Sequence, residues 1–150
     1  MKLSTKGRYG LKAMLDLALH QREDAVAISS ISERTGITVN YLEQLILKLK
    51  RSGLVISIRG AQGGYKLAKD MDTISVGDIL RALEGDLAPV SCISNSDESC
   101  ESANLCVTKL VWKRINDSIN SAVDSFMLSE LVEQSKIINP NQVLLENNKC

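Results

Sequence analysis

Between Ser29 and Val55 the chain reads SSISERTGITVNYLEQLILKLKRSGLV, two helical patterns on either side of one glycine. Few folds accommodate that punctuation. Ser29 or Ser30 can cap the first, short helix, and Glu33 stands at capping-box distance from Ser30. Gly36 supplies the turn, where a left-handed backbone conformation is least costly. Thr38 can cap the second helix, on which Leu42, Leu45, Ile46 and Leu49 form an apolar stripe at three- and four-residue spacing. Asn40, Tyr41, Glu43, Gln44, Lys48 and Arg51 fall outside the stripe, and Gly53 ends the helix.

The flanks complete a plan. Upstream, Leu11, Met14, Leu15, Ala18 and Leu19 predict a helix over about Ser4 to Gln21, joined through the short apolar link Ala25 to Ile28. Downstream, two β-rich runs at 55–58 and 64–68 are joined by RGAQG, which suits a hairpin with a loose glycine-rich tip. Val76, Ile79, Leu80 and Leu83 place one face of a further helix over Ser75 to Glu84. A polar stretch with Pro89 near its start follows over 85–105. A longer helix then spans about Val107 to Met127, with Leu110, Val111, Ile115, Ile119, Val123 and Phe126 apolar. Ser129 can open a last short helix, and the tail from Asn139 is polar. The expected fold is mainly α with a small β-wing: a winged helix-turn-helix followed by a long helix.

That arrangement has a physical use. One helix of the pair braces the other, which offers polar side chains to base edges in a major groove. A basic hairpin can reach the adjacent minor groove, where Arg59 would meet concentrated negative potential. Charge agrees: residues 1–70 hold 12 Lys or Arg and 6 Asp or Glu, residues 71–150 hold 6 and 12, and the formal net charge is zero. A basic half beside an acidic one points to a polyanionic partner for the first. The competing reading of the pattern is a helical protein-interaction domain with an ordinary hairpin.

Three cysteines, Cys92, Cys100 and Cys106, lie in VSCISNSDESCESANLCVTK, with seven residues in the first interval and five in the second. Their neighbours are Ser, Asn, Asp and Glu, poor company for a core, so a metal, an iron–sulfur cluster or a redox thiol pair is expected. Met1-Lys2 is followed by LSTKGRYG rather than an apolar run, and no stretch approaches the roughly 20 apolar residues of a membrane span. The expected location is cytoplasmic, with no membrane partner. Reduced thiols there favour metal over disulfides. No nucleophile–base pair, phosphate loop or metalloprotease motif argues for an enzyme.

LSTKGRYGLKAMLDLAL, ISERTGI, NYLEQLILKLKRSGLVISIRGAQGGYKLAKD, ISVGDILRALEG and CVTKLVWKRINDSI together resemble the IscR-like family of iron–sulfur regulators, winged-helix repressors that include NsrR and CymR. The resemblance covers roughly residues 1–135. It implies a homodimer on double-stranded promoter DNA, paired through the long helix. It implies a DNA surface of Tyr9, Ser29, Thr38, Asn40, Tyr41, Glu43, Gln44 and Arg51, with Arg59 and Gly60 from the wing. Glu43 matches a family acid that tunes which sites are tolerated. The plainer alternative for it is a salt bridge to Lys50 or Arg51.

The resemblance also implies that Cys92, Cys100 and Cys106 hold an iron–sulfur cluster, 2Fe–2S by analogy with IscR and 4Fe–4S by analogy with some NsrR proteins. The first interval is longer than in IscR and matches some NsrR proteins. Lys109 stands where IscR has a histidine ligand, and an ammonium has no lone pair for iron. NsrR proteins recruit an aspartate from the partner's first helix, but position 8 here is Arg8. The fourth ligand is therefore open among Asp97, Glu98, Glu101, Cys150 and a small exogenous thiol or water. His20, at the end of the first helix, reads as a plain surface residue.

The expected organisation is a DNA-binding domain over 1–84, a cysteine-bearing segment over 85–106, a dimerisation helix and short last helix over 107–138, and a tail over 139–150. The expected function is a DNA-binding regulator, a repressor, that senses cluster status and controls cluster-biogenesis genes. Nitric oxide, redox stress or cysteine supply are rival signals. A protein-interaction or cluster-transfer scaffold without DNA is the rival class.

Overall fold

A computed structural model describes residues 3–21, 24–94 and 106–140. Helices α1 (Thr5–His20), α2 (Ile28–Thr35) and α3 (Val39–Arg51) precede strands β1 (Val55–Ile58) and β2 (Gly64–Leu67). Helices α4 (Val76–Glu84), α5 (Lys109–Ser125) and α6 (Leu128–Ile138) follow. Short 3₁₀ turns occupy Met71–Thr73 and Ser91–Ile93. This is the expected mainly α fold with a two-stranded antiparallel wing, in which Val55 pairs with Leu67 and Ile58 with Gly64.

One core gathers α1 to α4. Met14 and Leu17 of α1, Ile31 of α2, the stripe Leu42, Leu45, Ile46 and Leu49 of α3, and Ile79 and Leu83 of α4 are buried together. Leu128 and Val132 of α6 join the same cluster, because α6 folds back onto α1. Two backbone bonds hold that return: Val76 N donates to Phe126 O at 2.8 Å and Leu128 N to Ile74 O at 2.8 Å.

The KGRYG start has a packing reason. Gly7 and Gly10 are buried against α4, and a Cβ on Gly10 would stand 2.0 Å from Leu83 Cδ1. Spaced three apart on one helical face, the two glycines let α4 lie close on α1.

Three local expectations change. Neither Ser29 nor Ser30 caps α2: the helix starts at Ile28 with Ala27 before it and no side-chain cap, so the Ser30–Glu33 capping box does not form. A capping box does form at α4, where Asp78 N donates to Ser75 Oγ and Ser75 N to Asp78 Oδ2, both at 3.0 Å. Ser129 lies inside α6, which Met127 precedes. The link at Ala25 to Ile28 also does more than connect. Val26 N donates to Tyr65 O at 2.9 Å and Tyr65 N to Val26 O at 2.8 Å, which pins β2 near the tip end of the hairpin to the segment before α2.

Candidate nucleic-acid interface and thiol segment

The helix-turn-helix is set by its turn and by buried ion pairing. Gly36 ends α2 at φ 71°, ψ 12°, the left-handed cap that favours glycine. Ser32 Oγ donates to Ile37 O at 2.6 Å across that turn. Asp16 of α1 is fully buried, and Arg34 of α2 answers it with Nε and a terminal nitrogen, each 2.9 Å from one carboxylate oxygen. A carboxylate with no exposure needs such a two-pronged partner. His20 belongs to this site, contrary to its reading as a plain surface residue: it is half-buried, with Nδ1 2.8 Å from Asp16 O. Lys12 Nζ donates to Thr35 O at 2.8 Å, at the carbonyl end of α2.

On this brace α3 turns its stripe inward and its polar residues outward. Asn40, Glu43, Gln44 and Arg51 are exposed, while Tyr41 is half-buried with its ring edge-on to Tyr9 of α1 at 6.0 Å. Thr38 precedes α3 with its side chain making no cap, and it is exposed, as is Ser29 on α2. The salt bridge offered as the plain role of Glu43 is not formed. Lys50 Nζ donates to Ser57 Oγ of β1 at 2.7 Å, and Lys50 and Arg51 lie seven and eight residues along, beyond the one-turn reach of a helical pair. Lys48 Nζ donates to Leu83 O at 3.1 Å, fixing α3 to the end of α4. At the wing tip Arg59 and Gly60 are exposed, and Gly60 takes φ 117°, a conformation open to glycine.

The expected DNA-facing residues thus occupy α1, α2, α3 and the wing, and the outward face of α3 and the wing tip are open. Sequence reasoning missed Leu47, which is exposed among the polar residues of α3. The sequence pattern put it in neither the apolar stripe nor the polar set, although its helical spacing from Gln44 and Arg51 places it on their face.

The thiols form the second site. Cys92 lies on the Ser91–Ile93 turn, which packs on α5, and Cys106 precedes α5. Both are half-buried. Cys106 Sγ is 3.2 Å from Thr108 Oγ1. That hydrogen bond, then one from the Lys109 N–H, holds the thiol below its usual range, toward the thiolate a metal needs. Cys100, Asp97, Glu98, Glu101 and Cys150 lie outside the described residues. Among the described residues no three Cys, His, Asp or Glu side chains converge on a metal-sized site. Two soft donors at the two ends of one segment, one drawn toward its thiolate, fit the donor set of an iron–sulfur centre.

Polar contacts link this region to α4. Arg81 bonds Asn120 Oδ1 at 3.0 Å and pairs with Asp124, both on α5. Ser94 Oγ donates to Asp86 Oδ2 at 2.8 Å. The outward side of α5 is apolar and open: Leu110 is 71% and Val111 54% exposed, and a groove runs between Val111, Ile115, Ile119 and Ala122. No helix among the described residues is long and apolar enough to cross a membrane.

Comparison with known proteins agrees with this architecture. Residues 3–134 match the family model of Rrf2, described as an iron-dependent transcriptional regulator. The HTH-type transcriptional regulator IscR of Yersinia pseudotuberculosis is 41% identical over 138 residues, 92% of this chain and 83% of that protein. Among solved structures, T. potens IscR superposes with a TM-score of 0.74 at 41% identity, covering 99% of this chain and 94% of that one. CymR, the global cysteine regulator of B. subtilis, gives 0.73 at 41% identity over 89% and 98%. The residues matched by the family model, 3–134, span α1 to α5 and the wing. The chain is therefore a member of the Rrf2 family, a DNA-binding transcriptional regulator on a winged-helix frame rather than an enzyme.

Proposed function

We propose that this chain is a homodimeric repressor whose hold on promoter DNA follows the state of an iron–sulfur cluster on Cys92, Cys100 and Cys106, and that it controls genes for cluster biogenesis. The observation that carries the reading is the two half-buried thiols, Cys92 on the turn that packs on α5 and Cys106 just before α5, with Cys106 drawn toward the thiolate, in a chain similar to IscR. A 2Fe–2S centre follows the similarity to IscR; 4Fe–4S is the alternative. When bound, the cluster supplies redox-sensitive charge held by thiolates. The chain's own residues do the rest. The Cys92 turn rests on α5, Arg81 ties α5 to α4, and Lys48 ties α4 to α3, so displacement at the thiols has a bonded route to the reading helix.

The DNA surface is proposed as Asn40, Tyr41, Glu43, Gln44 and Arg51 of α3, flanked by Tyr9, Ser29 and Thr38, with Arg59 and Gly60 in the minor groove. Glu43 acts there as a selectivity residue: beside phosphates a carboxylate is tolerated only where a cytosine amino group donates to it. The working division is 1–84 for reading, 85–106 for the cluster, 107–138 for pairing and return, and 139–150 as a tail. A second reading keeps the fold and makes cysteine supply the signal, on the equal similarity to CymR, a cysteine regulator.

Anaerobic purification with visible spectroscopy and iron and sulfide analysis separates them. A brown protein with matched iron and sulfide, bleached by Ala at each of Cys92, Cys100 and Cys106, is the expected result. Zinc, no metal, or a full cluster in any of the three variants contradicts it.

A further inference from the structure

Leu47 is 49% exposed, and it points where the reading helix points. The buried stripe of α3 is Leu42, Leu45, Ile46 and Leu49. At about 100° per residue the opposite side of the helix carries Asn40, Gln44, Leu47 and Arg51, with Leu47 closer to its centre than Glu43. Leu47 lies three residues after Gln44 and four before Arg51, so it meets both on one surface. Isolated exposed leucines are ordinary on protein surfaces. This one stands among the side chains presented to DNA. The major groove offers one apolar feature to such a side chain, the C5-methyl of thymine.

We propose that Leu47 is a specificity-determining residue that packs on a thymine methyl in the major groove. The inference rests on α3 lying in that groove. Seven residues at about 1.5 Å each set Leu47 roughly 10 Å along α3 from Asn40. At about 3.4 Å per base step, the thymine lies within roughly three base pairs of the one facing Asn40, in the same half-site.

The test begins with a duplex selected by the full-length protein from a random pool. Each thymine of one half-site is replaced singly by deoxyuridine, which removes only the methyl. Dissociation constants are measured for wild type, Leu47→Ala and Leu47→Met. One deoxyuridine should weaken wild type about fourfold, the effect of losing the burial of one methyl. That position should have no effect in Leu47→Ala and should regain it in Leu47→Met, which keeps apolar reach. Because Leu47 is outside the core, both variants should melt with wild type. Deoxyuridine effects identical in wild type and Leu47→Ala at every position overturn the proposal while leaving DNA binding intact. Failure of wild type to select any sequence overturns groove docking itself, and this inference with it.

Discussion

Glu84 caps a helix it does not belong to. Its Oε1 accepts from Ser4 N at 3.1 Å, Ser4 Oγ at 2.5 Å and Gly7 N at 2.9 Å, satisfying donors at the start of α1 from the end of α4. Partial burial pushes its carboxyl up, but the Ser4 hydroxyl, the Gly7 and Ser4 N–H groups and the Lys6 charge outweigh that and hold it below the usual value of 4.5. A folded value below the unfolded one gives stability that is present above the unfolded value and lost as pH falls through the folded one. The gap in urea-unfolding free energy between wild type and Glu84→Gln should therefore be widest near neutrality and shrink on acidification below about 4.5. A gap constant with pH would mean that the charge of Glu84 contributes nothing. Other residues divide by whether their partner is local. The cysteine spacing and the polar outward positions of α3 were legible because periodicity and composition carry them. The Asp16–Arg34 pair was not, since nothing in a sequence shows that residues 18 apart meet in a core.

At the scale of elements, periodicity located α1, α3, α4 and α5, and the first three bury their stripes in one shared core. Ends and caps were less legible. Serine before a helix competes with serine inside it, and at α2 packing places Ile28 in the first turn. The seam of α1 and α4 was visible only as two glycines. Replacing an interior helical glycine by alanine should stabilise by about 1 kcal/mol on propensity alone. At Gly10 the new methyl would overlap Leu83, itself buried, and overpacking typically costs about 1–3 kcal/mol. Gly10→Ala should thus lower the urea midpoint. A raised midpoint would show that α4 is free to step back.

At the scale of the molecule, the position of α6 was the least legible feature. Its return onto α1 depends on two long-range backbone bonds at Val76 and Leu128, which no local pattern announces. The open apolar side of α5 was legible as a stripe, but periodicity alone could not say whether it served the chain's own core or a partner. With Leu110, Val111 and Ile115 exposed on the single chain, a second copy is its natural cover. Ile115→Glu should yield a monomer by sedimentation at concentrations where wild type is dimeric, with helix content unchanged. A dimer persisting in that variant would place the interface elsewhere.

Docking of α3 and the wing on promoter duplex is tested most directly by binding anisotropy against salt for wild type beside Arg59→Ala. The logarithm of wild-type affinity should fall linearly with the logarithm of salt, since each neutralised phosphate releases counterions. Arg59→Ala should bind more weakly and lose about one unit of slope. Binding indifferent to salt, or equal affinities and slopes for the two proteins, would contradict the docking.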